Sequence, residues 1–149
     1  MQVLGHGGYA SHALYGTDHR LRQFIESQGL HYVLAVSCDQ TIWLGKSQYR
    51  VDATIKRLGE EAWQTLSAGN GARGERLYQW ARATFEHPQR TDLQRHILAR
   101  RKLGEPEQIT YYLVSAPVGT SLEQMVQLAG VRWSIESCFQ IAKGEVGAR

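Results

Sequence analysis

Near its C-terminal end the chain reads Arg132-Trp-Ser-Ile-Glu136-Ser-Cys-Phe-Gln-Ile-Ala-Lys143, one carboxylate framed by two cations. In an α-helix each residue turns about 100°, so with Arg132 as origin Glu136 falls at roughly 40° and Lys143 at roughly 20°, one narrow stripe. Val131, Ile135, Cys138, Phe139, Ala142 and Val146 fall on the neighbouring sector, at about 240° to 340°. Such a helix buries an apolar side and displays the charges beside it. The stripe suits a carboxylate holding a divalent metal against a phosphodiester, with Arg and Lys gripping the flanking phosphates. It also suits an amphipathic surface helix with an Arg-to-Glu i,i+4 pair, worth a few tenths of a kcal/mol. Spacing alone leaves both readings open.

Composition sets the frame for that stripe. The 149 residues have the size of one domain, with 42% hydrophobic and 21% charged residues as in soluble globular proteins. No run of about 18 or more apolar residues occurs, so no membrane span is expected. The start, Met-Gln-Val-Leu-Gly-His-Gly-Gly, lacks the basic and apolar segments of a signal peptide. Cys38 and Cys138 have no metal-ligand spacing, and His6, His12, His19, His31, His87 and His96 form no H-x3-H pair. A reduced, cytoplasmic protein without zinc is expected. The net charge of +3 permits a nucleic-acid partner without requiring one.

The elements that must position the stripe read as an α/β protein. Thr17 or Asp18 is suited to cap a helix over Asp18–Gln28, with Leu21, Phe24 and Ile25 facing a core and Gly29 stopping it. Tyr32–Val36 is a short apolar run, a strand buried on both faces. Val51–Leu58 and Glu60–Leu66 read as short helices, and Ser67–Gly74 as a glycine-rich mobile connector lacking the G-K-[ST] ending of a phosphate loop. Leu77–Phe85 and Leu93–Lys102 read as strands. Arg95, Arg100, Arg101 and Lys102 on the second suit a DNA backbone contact or protective charge on a solvated sheet edge. Gln108–Ala116 is a strand closed by Pro117. Ser121 caps a helix through Leu128, which Gly130 separates from the stripe helix. Trp43, Trp63, Trp80 and Trp133 read as packing residues rather than base-stacking platforms, and Cys38 and Cys138 also read as packing residues.

Arg132-x3-Glu136-x6-Lys143 resembles the Y-R-E-K signature of bacterial insertion-sequence transposases of the DDE superfamily endonuclease type. Leu14-Tyr15-Gly16-x-Asp18-x2-Leu21-Arg22, Tyr32–Val36 and Ser67-Ala-Gly-x-Gly-Ala-x-Gly74 are similar to further blocks of that family, in the same order. The resemblance spans roughly residues 10 to 149. It implies a ribonuclease-H-like, retroviral-integrase-like core with a β-rich insertion before the last helix. Residues about 10–36 would give a core helix and strand, about 45–105 the insertion, and about 108–149 the return strand and Glu-bearing helix. It also implies metal-dependent DNA cleavage and strand transfer, three carboxylates holding two Mg²⁺ ions. Glu136 would be the third carboxylate, catalytic and metal-binding, with Arg132 and Lys143 as DNA clamps.

This chain departs from the family in places that matter for chemistry. Ala129 stands where the signature has its Tyr. His12 stands where the family has its second Asp, and a neutral imidazole is a poor ligand for Mg²⁺. Asp18, six residues on, is better suited to starting a helix. The first Asp belongs to a strand upstream of everything in this sequence. One carboxylate cannot assemble a two-metal site, so a truncated fragment, inactive alone, is expected. Loss of the neighbouring strands would leave Tyr32–Val36 with an exposed edge, inviting self-association. A second reading is a non-catalytic remnant that binds DNA or a full-length transposase. A third, a small enzyme using a Cys–His pair, has little support in residues that sit in apolar runs.

Overall fold

The computed structural model describes residues 2–4, 19–44, 46–71 and 74–131. Among the described residues there are eight strands: β1 Gln2–Leu4, β2 His31–Val36, β3 Thr41–Leu44, β4 Ser47–Arg50, β5 Gln64–Gly71, β6 Gly74–Glu86, β7 Leu93–Lys102 and β8 Glu105–Pro117. Six of them form one sheet in the order β1-β2-β8-β7-β6-β5, and β3 pairs with β4 alone; every pair is antiparallel. The helices are α1 His19–Ser27, α2 Val51–Lys56, a 3-10 turn at Glu60–Ala62, and α3 at 122–131. The architecture is mixed α/β, dominated by an antiparallel sheet.

Side chains alternate across each strand, which splits the apolar residues into two cores. Tyr32, Leu34 and Val36 of β2, Ile97 and Ala99 of β7, and Tyr111 and Leu113 of β8 face α1 and α2, meeting Ile25, Val51 and Ile55. Val33, Trp80, Leu98, Tyr112 and Val114 face the other way, beneath Leu122, Met125, Val126 and Ala129 of α3. The sheet is therefore a middle layer between helices, and β2 has both faces buried, as its continuous apolar run predicts. Each large apolar side chain fully buried here contributes about 1.5–3 kcal/mol.

Both long helices end where local chemistry requires. Gly29, at a φ of 72°, donates its N–H to Glu26 O (3.0 Å) while Leu30 donates to Ile25 O (3.2 Å). This is a Schellman closure, and only glycine takes that left-handed conformation without cost. At the start of α3, Ser121 N donates to Gln124 Oε1 (2.9 Å) and Gln124 N donates to Ser121 Oγ (3.1 Å), a reciprocal capping box.

Several sequence expectations are corrected. Glu60–Leu66 is no helix: after one 3-10 turn Trp63 is extended, and β5 begins at Gln64. Within Ser67–Gly74, residues 67–71 belong to β5 and Gly74 begins β6, with an irregular register between Ser67 and Asn70, because glycine supplies the bulge rather than a loop. α3 runs through Gly130 to Val131. A Cβ on Gly130 would lie 2.2 Å from Ala68 O, so this glycine permits close approach to β5 instead of ending the helix. β7 is an interior strand between β6 and β8, so its cations guard no edge. Phe24 is 61% and Trp43 54% exposed, and Cys38 is exposed in a turn, against their assignment to packing. The outer edge of β2 pairs with β1 along His31–Val33, so it is covered there rather than open.

Candidate functional site

The residues that the sequence singles out for chemistry, Arg132, Glu136, Lys143 and His12, lie outside the described residues, as do Asp18, Trp133 and Cys138. α3 reaches Val131, one position before Arg132, and Ala129 is buried against the sheet. Among the described residues no group of three His, Cys, Asp or Glu converges in a way that could hold a metal ion.

A different constellation stands out, centred on Glu26. Arg22, Ile25 and Glu26 share the sheet-facing side of α1, and all three are buried. The Glu26 carboxylate accepts from Arg95 Nη2 (2.7 Å) and Nε (3.2 Å), and from Tyr32 Oη (2.5 Å). His87 Nε2 lies 2.8 Å from Glu26 Oε1. Gln89 N and Arg90 N both donate to His87 Nδ1, at 3.1 and 3.0 Å. With Nδ1 occupied as an acceptor, the ring turns its Nε2–H toward the carboxylate. Burial pushes the Glu26 carboxyl up, but the Arg95, Tyr32 and His87 contacts outweigh it and hold the group below its ordinary range. Burial, together with the Glu26 charge, raises the Tyr32 hydroxyl well above the usual tyrosine range.

A cleft of about 440 Å³ opens over this cluster, bordered by Gln23, Trp43, His87, Gln89, Arg90 and Arg95. Its charges are already matched. Arg90 forms a fork with Asp92 (3.0 and 2.7 Å) and donates Nη1 to Glu26 O (3.0 Å), closing the C-terminal end of α1. Chemically the cluster anchors α1 to the sheet and offers no spare acid or base. The sequence carried one signal for it: Glu26 sits on the same helix face as Ile25, and a carboxylate there must find partners.

The cations of β7 are likewise engaged. Arg101 stacks on Trp63 (4.1 Å) and pairs with Glu60 (2.6 Å). Arg100 lies over Tyr78 (4.9 Å) and donates to Thr110 Oγ1 (3.1 Å). Tyr78, Arg100, Lys102, Gln108, Ile109 and Thr110 line a groove of about 240 Å³ on the α3 side of the sheet. No family model, curated protein or solved structure matches the chain. No helix among the described residues is long and apolar enough to cross a membrane.

Proposed function

We propose that the chain derives from the catalytic domain of a DDE-superfamily insertion-sequence transposase, and that alone it neither cuts nor joins DNA. The observation carrying this reading is Arg132-x3-Glu136-x6-Lys143 placed directly after α3, at the end of an ordered series of blocks. The order of elements supports it: a helix (α1), a doubly buried strand (β2), a β-rich stretch (β3 to β7), a return strand (β8) and a helix leading to Arg132. On this reading the fold is a partial ribonuclease-H-like core whose insertion shares the core's sheet. The locale is the cytoplasm, and the partner is transposon-end DNA.

Inactivity follows from the donor set. Two Mg²⁺ ions need several hard oxygen ligands. On this reading His12 occupies the second carboxylate position, where a neutral imidazole is a poor ligand for Mg²⁺. Three of the described carboxylates are committed elsewhere: Glu26 to Arg95, Asp52 to Arg50, and Asp92 to Arg90. These residues do not fit a two-metal site. The test is incubation of the chain with supercoiled plasmid and Mg²⁺ or Mn²⁺, beside a Glu136→Gln control; intact plasmid is the expected result.

A second reading, a non-catalytic remnant that binds DNA or a full-length transposase, is favoured by the Tyr78–Arg100–Lys102 groove. An aromatic ring beside cations suits a phosphodiester backbone. It predicts DNA binding that weakens with salt and with Arg100→Ala or Lys102→Ala, without nicking. Self-association would use the β2 edge along Leu34–Val36, which β1 does not pair.

A further inference from the structure

We infer that Asn70 is a site of spontaneous deamidation, and that its product carboxylate acts on the contact between β6 and the end of α3. Asn70 is the only asparagine of the chain, it is exposed, and it is followed by Gly71 at the end of β5. β5 runs through Asn70, but its ladder shifts register between Ser67 and Asn70 and Gly69 is at a φ of 95°, so the pairing is irregular just before Asn70. Gly71 has no Cβ to block approach of its amide nitrogen to the Asn70 side chain. A Cβ there would lie 2.7 Å from Arg76 Nε, so the guanidinium lies against this peptide unit. A cation beside the amide favours loss of its proton and stabilises the oxyanion that follows.

The chemistry balances with water alone. The deprotonated Gly71 nitrogen attacks Asn70 Cγ; the new C–N bond forms, the Cγ–Nδ2 bond breaks, and ammonia leaves with a proton from solvent. Water then opens the succinimide. Cleavage of the bond from Cγ to nitrogen gives aspartate, and cleavage of the bond from the backbone carbonyl carbon to nitrogen gives isoaspartate. Either product adds a negative charge beside Arg76. That side chain donates Nη1 to Gly130 O (3.4 Å), at the end of α3. The new carboxylate competes for the same guanidinium, and isoaspartate also lengthens the backbone opposite Glu75, the register partner of Asn70.

The experiment incubates the whole chain in mildly alkaline buffer, folded or unfolded in urea, and follows position 70 by peptide mapping. The expected result is accumulation of aspartate and isoaspartate at position 70 in the folded chain, within several-fold of the unfolded rate. Gly71→Ala is expected to slow conversion several-fold; the flexible Arg76 side chain can yield to the added methyl, and circular dichroism verifies the fold. An Asn70 that stays intact in the folded chain while converting in urea overturns the inference. Equal rates for Gly71→Ala and the parent overturn it too.

Discussion

Arg95 on β7 and Glu26 on α1, 69 residues apart in sequence, meet with Nη2 2.7 Å from Oε1, and both side chains are largely buried. Tyr32 and His87 complete the shell of the carboxylate, so one ion pair joins a helix, two strands and the start of the β6–β7 connection. Removing one partner leaves a buried charge unmatched. Glu26→Ala is expected to cost about 3–5 kcal/mol in urea unfolding, and the double change Glu26→Leu with Arg95→Met clearly less. Equal losses for the single and double variants would mean that the side-chain volumes, not the charges, hold α1.

Two buried groups, His96 and Glu26, dominate the pH dependence of stability. His96 is held down to about 4 from its ordinary 6.5, chiefly by burial and then by the Arg82 charge. Its unfolded form binds the extra proton first, so stability is full above about pH 6.5 and falls toward about pH 4, by on the order of 3 kcal/mol. Glu26, with a lowered carboxyl, stabilises above its ordinary 4.5, and that contribution is lost as pH falls further through its folded value. His96→Leu is expected to flatten the upper window in urea midpoints measured across pH. The slope left there belongs in part to His31, which burial also lowers.

Gly130 tests the packing of α3 on β5. Alanine is favoured in a helix over glycine by about 1 kcal/mol. Here the added methyl would lie 2.2 Å from Ala68 O, a backbone atom that cannot swing aside. Gly130→Ala is expected to be destabilising by about 1–3 kcal/mol, read as a lower thermal midpoint. A raised midpoint would show that α3 does not lie this close to β5.

Arg101 separates a stacked cation from a paired one. It covers the Trp63 ring, while its carboxylate partner Glu60 is solvent-exposed. Trp63→Ala together with Arg101→Ala measures the stacking in a double-mutant cycle, with an expected coupling of about 0.5–2 kcal/mol. Glu60→Ala is expected to leave stability nearly unchanged, since exposed pairs are weak.

Strands with strong apolar patterning were legible in the residues. Tyr32–Val36, Leu93–Lys102 and the run ending at Pro117 are strands because alternation or continuous burial leaves little choice. Gly29 announced its helix stop. Glycine misled elsewhere: Gly69 and Gly71 lie within β5, and Gly130 lies within α3, because a bulge and a close backbone approach need glycine as much as a loop does. The Glu26 anchor was legible only in part: a carboxylate on the face of Ile25 needs partners, but Arg95 and His87 are distant in sequence. A lone glutamate on a helix carries no mark of them.

The most direct measurement of the central proposal is conversion of supercoiled plasmid by the purified chain in Mg²⁺ or Mn²⁺, with Glu136→Gln as control. The proposal predicts plasmid that stays supercoiled in both samples. Open-circular product that forms with the parent chain and disappears with Glu136→Gln would contradict it.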